Sequence, residues 1–189
     1  MFDVANHRLT VFTFDTSKSK IAIKKMLNLK HGFPYCPIFL NDTTIISLDY
    51  EISNGTRFSV FDSSGVFKKY SGKILSGKPK NVPANIHQRA AKGIIRVSPG
   101  GKKIIVSSTF SDIIDVFDAE GNLLNSFFGP LKQFPMYEVD VLSEGPIMRF
   151  ADNAIKGYVD IEVTDNKIFA LFSGKSLDSN YCNYIHVFN

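Results

Sequence analysis

One short pattern constrains this chain more than any other: an apolar residue, a variable one, then Val-Phe-Asp, then a turn. It reads Phe58-Ser59-Val60-Phe61-Asp62 before Ser63-Ser64-Gly65, and again, 56 residues later, Ile114-Asp115-Val116-Phe117-Asp118 before Ala119-Glu120-Gly121. After a further 71 residues it returns as Ile185-His186-Val187-Phe188-Asn189, and a looser copy stands near the start as Val11-Phe12-Thr13-Phe14-Asp15. Alternating apolar residues ended by a polar turn are the mark of a β-strand. An Asp at the strand end can accept backbone N–H groups of the turn that follows. A chain that repeats this unit is committed to antiparallel meanders.

The clearest meander covers 94–130, with strands Ile94–Val97, Lys103–Ser108, Ile113–Asp118 and Leu123–Phe128, stopped by Gly129-Pro130. A second covers 38–72, and partial ones cover 1–30 and 157–189. The expected fold class is all-β: a β-propeller-like array of four-stranded antiparallel meanders, two whole blades and two partial ones, in a single partial domain over 1–189. Between the meanders, His31–Pro37 is expected to be a loop, because Gly and two prolines do not suit a central strand. The spacer from Ser71 to Gln88 has no period and room for one short helical turn, Phe134–Ala151 reads as irregular, and Tyr158–Val163 alternates cleanly.

Composition limits the function classes. Apolar residues make up 44% and charged residues 21%, which places the chain among globular proteins. The net charge of +4 comes from scattered lysines, paired only at Lys24-Lys25, Lys68-Lys69 and Lys102-Lys103 near strand ends, so no nucleic-acid partner is expected. No apolar run is long enough for a transmembrane segment, and Met1–Asn6 lacks the basic-then-apolar order of a signal peptide. Cys36 and Cys182 are expected either as small buried residues or as a bridge across the fold, and they lack zinc spacing.

No motif assigns a reaction. His7, His31, His87 and His186 are isolated, there is no GxSxG elbow, and Ser98-Pro99-Gly100-Gly101-Lys102 reads as a hairpin turn. No catalytic residue, cofactor or metal is therefore expected. Asp160 and Glu162 lie two apart on one strand, and with Asp140 and Glu144 they are the acidic residues a channel metal site would draw on; a solvated polar face is the plainer reading. Arg89 and Arg149 lie in spacers ahead of inner strands, where loops gather at a rim and a guanidinium can hold an anionic ligand or a partner carboxylate. Tyr35, Tyr137 and Tyr158 could serve as platforms for a sugar or peptide, or pack in the core. The binding candidates are thus Arg89, Arg149, Tyr158 and Asp160.

The sequence resembles the TolB-like six-bladed β-propellers of Bacteroides-type bacteria. The likeness rests on Phe2-Asp3-Val4-Ala5-Asn6-His7-Arg8-Leu9, on Val60-Phe61-Asp62 with Gly65, on Val116-Phe117-Asp118 with Gly121-Asn122, and above all on Asp165–Lys175 followed by Asn183–Phe188. It implies a partial-length member of an exported family, of the cell envelope or periplasm, without an established activity. The expected function is a non-enzymatic binding or scaffold module for a protein, peptide or saccharide. A metal-dependent hydrolase or lactonase-type propeller is the alternative, and a fragment without independent function the third. An open arc of blades is also expected to self-associate through its uncovered faces.

Overall fold

A computed structural model describes residues 1–49, 55–74, 82–178, 182 and 184–189. Among them the repeats become a series of antiparallel meanders. Strands β1 (Phe2–Asp3), β2 (Arg8–Asp15) and β3 (Lys20–Asn28) form a first, three-stranded sheet. Strands β4 (Pro34–Asn41), β5 (Thr44–Asp49), β6 (Thr56–Asp62) and β7 (Phe67–Lys73) form the second, and β8 (Gly93–Val97), β9 (Lys103–Ser108), β10 (Ile113–Asp118) and β11 (Leu123–Phe128) the third. The last sheet has β14 (Ile155–Val163), β15 (Ile168–Ser176) and β16 (Tyr184–Phe188). Helix α1 (Ala84–Ala90) leads into β8, and a separate hairpin of β12 (Tyr137–Leu142) and β13 (Gly145–Phe150) leads into β14.

The inner sheets are apolar on both faces because each packs between two neighbours. Leu9, Leu27 and Leu29 of the first sheet meet Ile45 and Phe61 of the second. On its other face the second sheet offers Ile46, Leu48 and Phe58 to Ile95, Ile104, Val106 and Phe117 of the third. Ile105, Ile114 and Val116 then meet Tyr158, Ile161, Ile168, Ala170 and Phe172 of the last. Strands β4, β8 and β14 lie side by side as the inner wall.

A bulge sets which residues face forward, toward the next sheet, and which face back. Pairing slips between Val60 and Phe61, and between Val116 and Phe117, where the outer strand carries one extra residue. The first sheet slips between Val11 and Phe12. Phe12 therefore occupies the place of Phe61 and Phe117, two residues earlier than the Phe14-Asp15 ending suggests. The turn chemistry is as the Asp residues imply: Asp62 Oδ1 accepts N–H groups of Ser64 (2.9 Å) and Val66 (3.0 Å), and Asp118 Oδ1 accepts that of Asn122 (2.8 Å).

Four expectations change. Residues 34–37 belong to β4; its prolines are tolerated because β4 is an edge strand, with irregular pairing between Tyr35 and Ile38 and Cys36 at φ +53°. Neither cysteine is buried or bridged: both are exposed free thiols. The stretch within Phe134–Ala151 that reads as irregular holds the β12–β13 hairpin. The alternation of Tyr158–Val163 is broken by register shifts on either side of Tyr158, where Gly157 runs so close to the chain that a Cβ would sit 1.9 Å from the Ser111 carbonyl oxygen.

Candidate functional site

The connections at one end of the sheets are tied together. Asp49 Oδ1 accepts the Phe33 N–H (2.9 Å), and the Asp49 carbonyl accepts Gln88 Nε2 of α1 (3.0 Å). Thr109 N–H donates to the Lys92 carbonyl, and Gly157 N–H to the Thr109 carbonyl, both at 2.7 Å. Asp112, fully buried, accepts backbone N–H groups of Leu131, Lys132 and Gln133 at 2.7–2.8 Å and so pins the segment ahead of the hairpin. These bonds make a rigid rim.

Two elements stand on that rim. Ile86 and Ala90, one helical turn apart, bury the inner side of α1, after Pro83 supplies a φ of −55° suited to a helix start. The hairpin docks on the helix: His87 Nδ1 and the Tyr137 hydroxyl are 2.9 Å apart, and the Phe150 ring lies 4.2 Å from that of Phe110. Partial burial pushes the Tyr137 phenol up to about 12. In β12 and β13 the register puts Tyr137, Val139, Val141, Pro146, Met148 and Phe150 on one side and Glu138, Asp140, Ile147 and Arg149 on the other. At the tip, Val141, Leu142 and Ile147 are exposed.

The four candidate residues do not converge. Arg89 is exposed on α1. Arg149, opposite Glu138 across the hairpin, contacts the Glu138 carboxylate and lies 3.2 Å from Asp140 Oδ2; these two carboxylates favour its protonated form further. Arg89 and Arg149 thus share the rim built by α1 and β13. Asp160 stands on the inner wall instead, 2.8 Å from Arg96 of β8. Tyr158 is enclosed between the third and last sheets, its hydroxyl 3.2 Å from His186 Nδ1, and burial together with the Asp112 charge raises its phenol above the ordinary value. Its ring presents no face to solvent.

Sequence reasoning missed Arg96, which engages Asp160, and the exposed tip of the hairpin. The tip was signalled by the alternation of Tyr137, Val139 and Val141 with Glu138 and Asp140. At the other end of the sheets, an open cleft of about 350 Å³ separates the third sheet from the last, floored by Ile105, Val116 and Ile168 and flanked by Phe127 and Phe188. Among the described residues no group of three or more His, Cys, Asp or Glu side chains is placed to hold a metal ion. No helix among them is long and apolar enough to cross a membrane.

Comparison with curated proteins finds no match. Among solved structures, the chain is similar to a candidate 6-phosphogluconolactonase from Bacteroides fragilis, with 14% identity over 96% of this chain and 49% of that one and a TM-score of 0.35. It is also similar to a candidate exported protein from Bacteroides fragilis, with 15% identity over 88% of this chain and 50% of that one and a TM-score of 0.38. The β-propeller domain of Cps50 (Swd1) from Myceliophteria thermophila shows 11% identity over all of this chain and 71% of that one, with a TM-score of 0.27. The chain spans about half the length of the two Bacteroides proteins. The family model for TolB-like 6-blade propeller-like proteins matches residues 1–189, and the chain belongs to that family.

Proposed function

We propose that the chain is a non-enzymatic binding module whose rim, built from α1 and the β12–β13 hairpin, receives a protein or peptide partner. One observation carries this reading. A two-stranded hairpin is marginal in water on its own, yet here its base is anchored by Tyr137 on His87 and Phe150 on Phe110, while its tip holds Val141, Leu142 and Ile147 in solvent. Apolar side chains on both faces of an anchored tip, Val141 on one and Leu142 and Ile147 on the other beside Glu138, Asp140 and Arg149, offer a partner apolar contact with a charged margin, as a protein-recognition surface does. The inner wall is less suited to metal chemistry, since the Arg96 guanidinium already occupies the Asp160 carboxylate and its charge opposes a cation there. Family membership supports placing the module in the cell envelope.

The test is a peptide array and a glycan array probed with labelled protein, in parallel with a Val141→Asp variant. The proposal expects a subset of peptides to be bound and that binding to fall at least tenfold in the variant. Recognition of glycans alone, or peptide binding that Val141→Asp leaves unchanged, would overturn it.

A further inference from the structure

We infer that the joint between the second and third sheets binds one ordered water molecule, in a small polar cavity beneath the rim. The cavity measures about 20 Å³. Arg57 of β6 and Asp115 of β10 enter it from the two sheets, and Ser108 and Ser111 from the end of β9 and the turn after it. His87 of α1 and Phe134, ahead of the hairpin, close the side toward the rim. Room for one water takes roughly 10–15 Å³, together with two to four polar partners. The size therefore suits a single molecule.

Three of those side chains bring a polar atom that the protein does not match. Ser108, Ser111 and Arg57 are 3%, 0% and 4% exposed, and Ser108 Oγ, Ser111 Oγ and Arg57 Nε have no hydrogen-bond partner among the described residues. Asp115 Oδ2 lies 3.4 Å from Arg57 Nε, an attraction of charges, while Arg57 Nη1 is spent on the Ala91 carbonyl. The backbone of the turn is engaged as well, since Thr109 N–H donates to the Lys92 carbonyl and the Thr109 carbonyl accepts Gly157 N–H. A buried polar atom left unmatched costs more than its hydrogen bond would gain, so nearly all are paired with protein or water. Water suits this set of atoms. Its oxygen can accept from Arg57 Nε–H and from one serine hydroxyl, and its two protons can go to the other hydroxyl and to Asp115. A halide would accept from the same donors but would stand beside the Asp115 carboxylate, and a metal cation beside the Arg57 guanidinium. One held water is not bulk solvent: the ion pair keeps its low exposure, and the water bridges it to the turn after β9.

Urea unfolding reads the sign of each hydroxyl. Removing a buried hydroxyl that has no partner relieves a penalty, whereas removing one that holds a water loses a bond. Ser108→Ala and Ser111→Ala should each lower the urea midpoint. Ser107 is the control: its hydroxyl is buried and also without a partner among the described residues, but it does not line the cavity, so Ser107→Ala should hold or raise the midpoint. Water-oxygen magnetic relaxation dispersion counts long-lived internal waters directly, and the wild type should show one more than the Ser108→Ala/Ser111→Ala double variant. A midpoint that holds or rises in either cavity variant, or a fall as large in Ser107→Ala, overturns the inference. So does an equal count of long-lived waters in wild type and double variant. Chloride NMR line broadening that the double variant abolishes would assign the site to an anion and overturn it too.

Discussion

Asp118 does its work within five residues. Its carboxylate accepts the side-chain amide of Asn122 (2.8 Å) and the backbone N–H of the same residue, and these bonds hold its pKa below the ordinary carboxylate value. Asp62 is lowered likewise, with Lys68 the largest cause. A depressed folded pKa contributes stability that is present above the unfolded value, near pH 3.9, and lost as pH falls through the folded one. Asp118→Ala should therefore lower the urea midpoint at pH 7, with the gap to wild type closing as pH falls below about 4. Equal midpoints at pH 7 would contradict this account of the turn. Asp112 works at longer range, its carboxylate accepting three N–H groups 19 to 21 residues away in sequence. Asp112→Ala leaves those donors without their charged acceptor and should cost about 3 kcal/mol in urea unfolding. The contrast explains what could be read in advance. Asp62 and Asp118 announce their role because their partners are the next few residues. Asp112 sits in the same strand-turn grammar, but nothing local says that its partners lie beyond the next two strands.

At the level of elements, the meanders were legible because strand, Asp and turn recur, and the all-β array follows from that recurrence. The insertions were not. Alternation in Tyr137–Val141 is more regular than in β10, which is apolar on both faces, yet its neighbours Pro135 and Pro146 read as breakers; on a two-stranded hairpin every strand is an edge, and proline is tolerated there. The prolines of β4 misled in the same way. The candidate site suffered most, since Arg89 and Arg149 come from separate spacers and only the docking of β13 on α1 brings them to one rim. Arg149 also gains two carboxylate partners that the sequence leaves unpaired. If Tyr137 and His87 anchor the hairpin, Tyr137→Phe should speed amide hydrogen exchange in residues 137–150 several-fold while β9 and β10 keep wild-type protection. Uniform acceleration through the sheets would show instead that the hydroxyl supports the whole fold.

For the molecule as a whole, apolar clusters join each sheet only to its neighbours, so one interface can be weakened without touching the others. The joint between the second and third sheets holds a charged pair in its interior. Arg57 Nε of β6 lies 3.4 Å from Asp115 Oδ2 of β10, and the two side chains are only 4% and 3% exposed. Asp115 Oδ1 also accepts the Ser126 hydroxyl (2.7 Å), and Arg57 donates to the Ala91 carbonyl at the end of α1, which ties the joint to the rim. Removing one member strands a buried charge and costs about 3–5 kcal/mol, whereas replacing both with apolar side chains of similar volume is often near neutral. Asp115→Leu alone should therefore take a large share of a native stability of about 5–15 kcal/mol, and Arg57→Met with Asp115→Leu should restore most of it. Urea unfolding of the wild type, both single variants and the double variant closes the cycle. Because each sheet touches only its neighbours, the Asp115→Leu transition should also broaden, with the second and third sheets parting before either melts. A single variant that loses less than about 1 kcal/mol would mean that water reaches the pair, and that the joint is held by Phe58 against Phe117 and the aliphatic side chains around them.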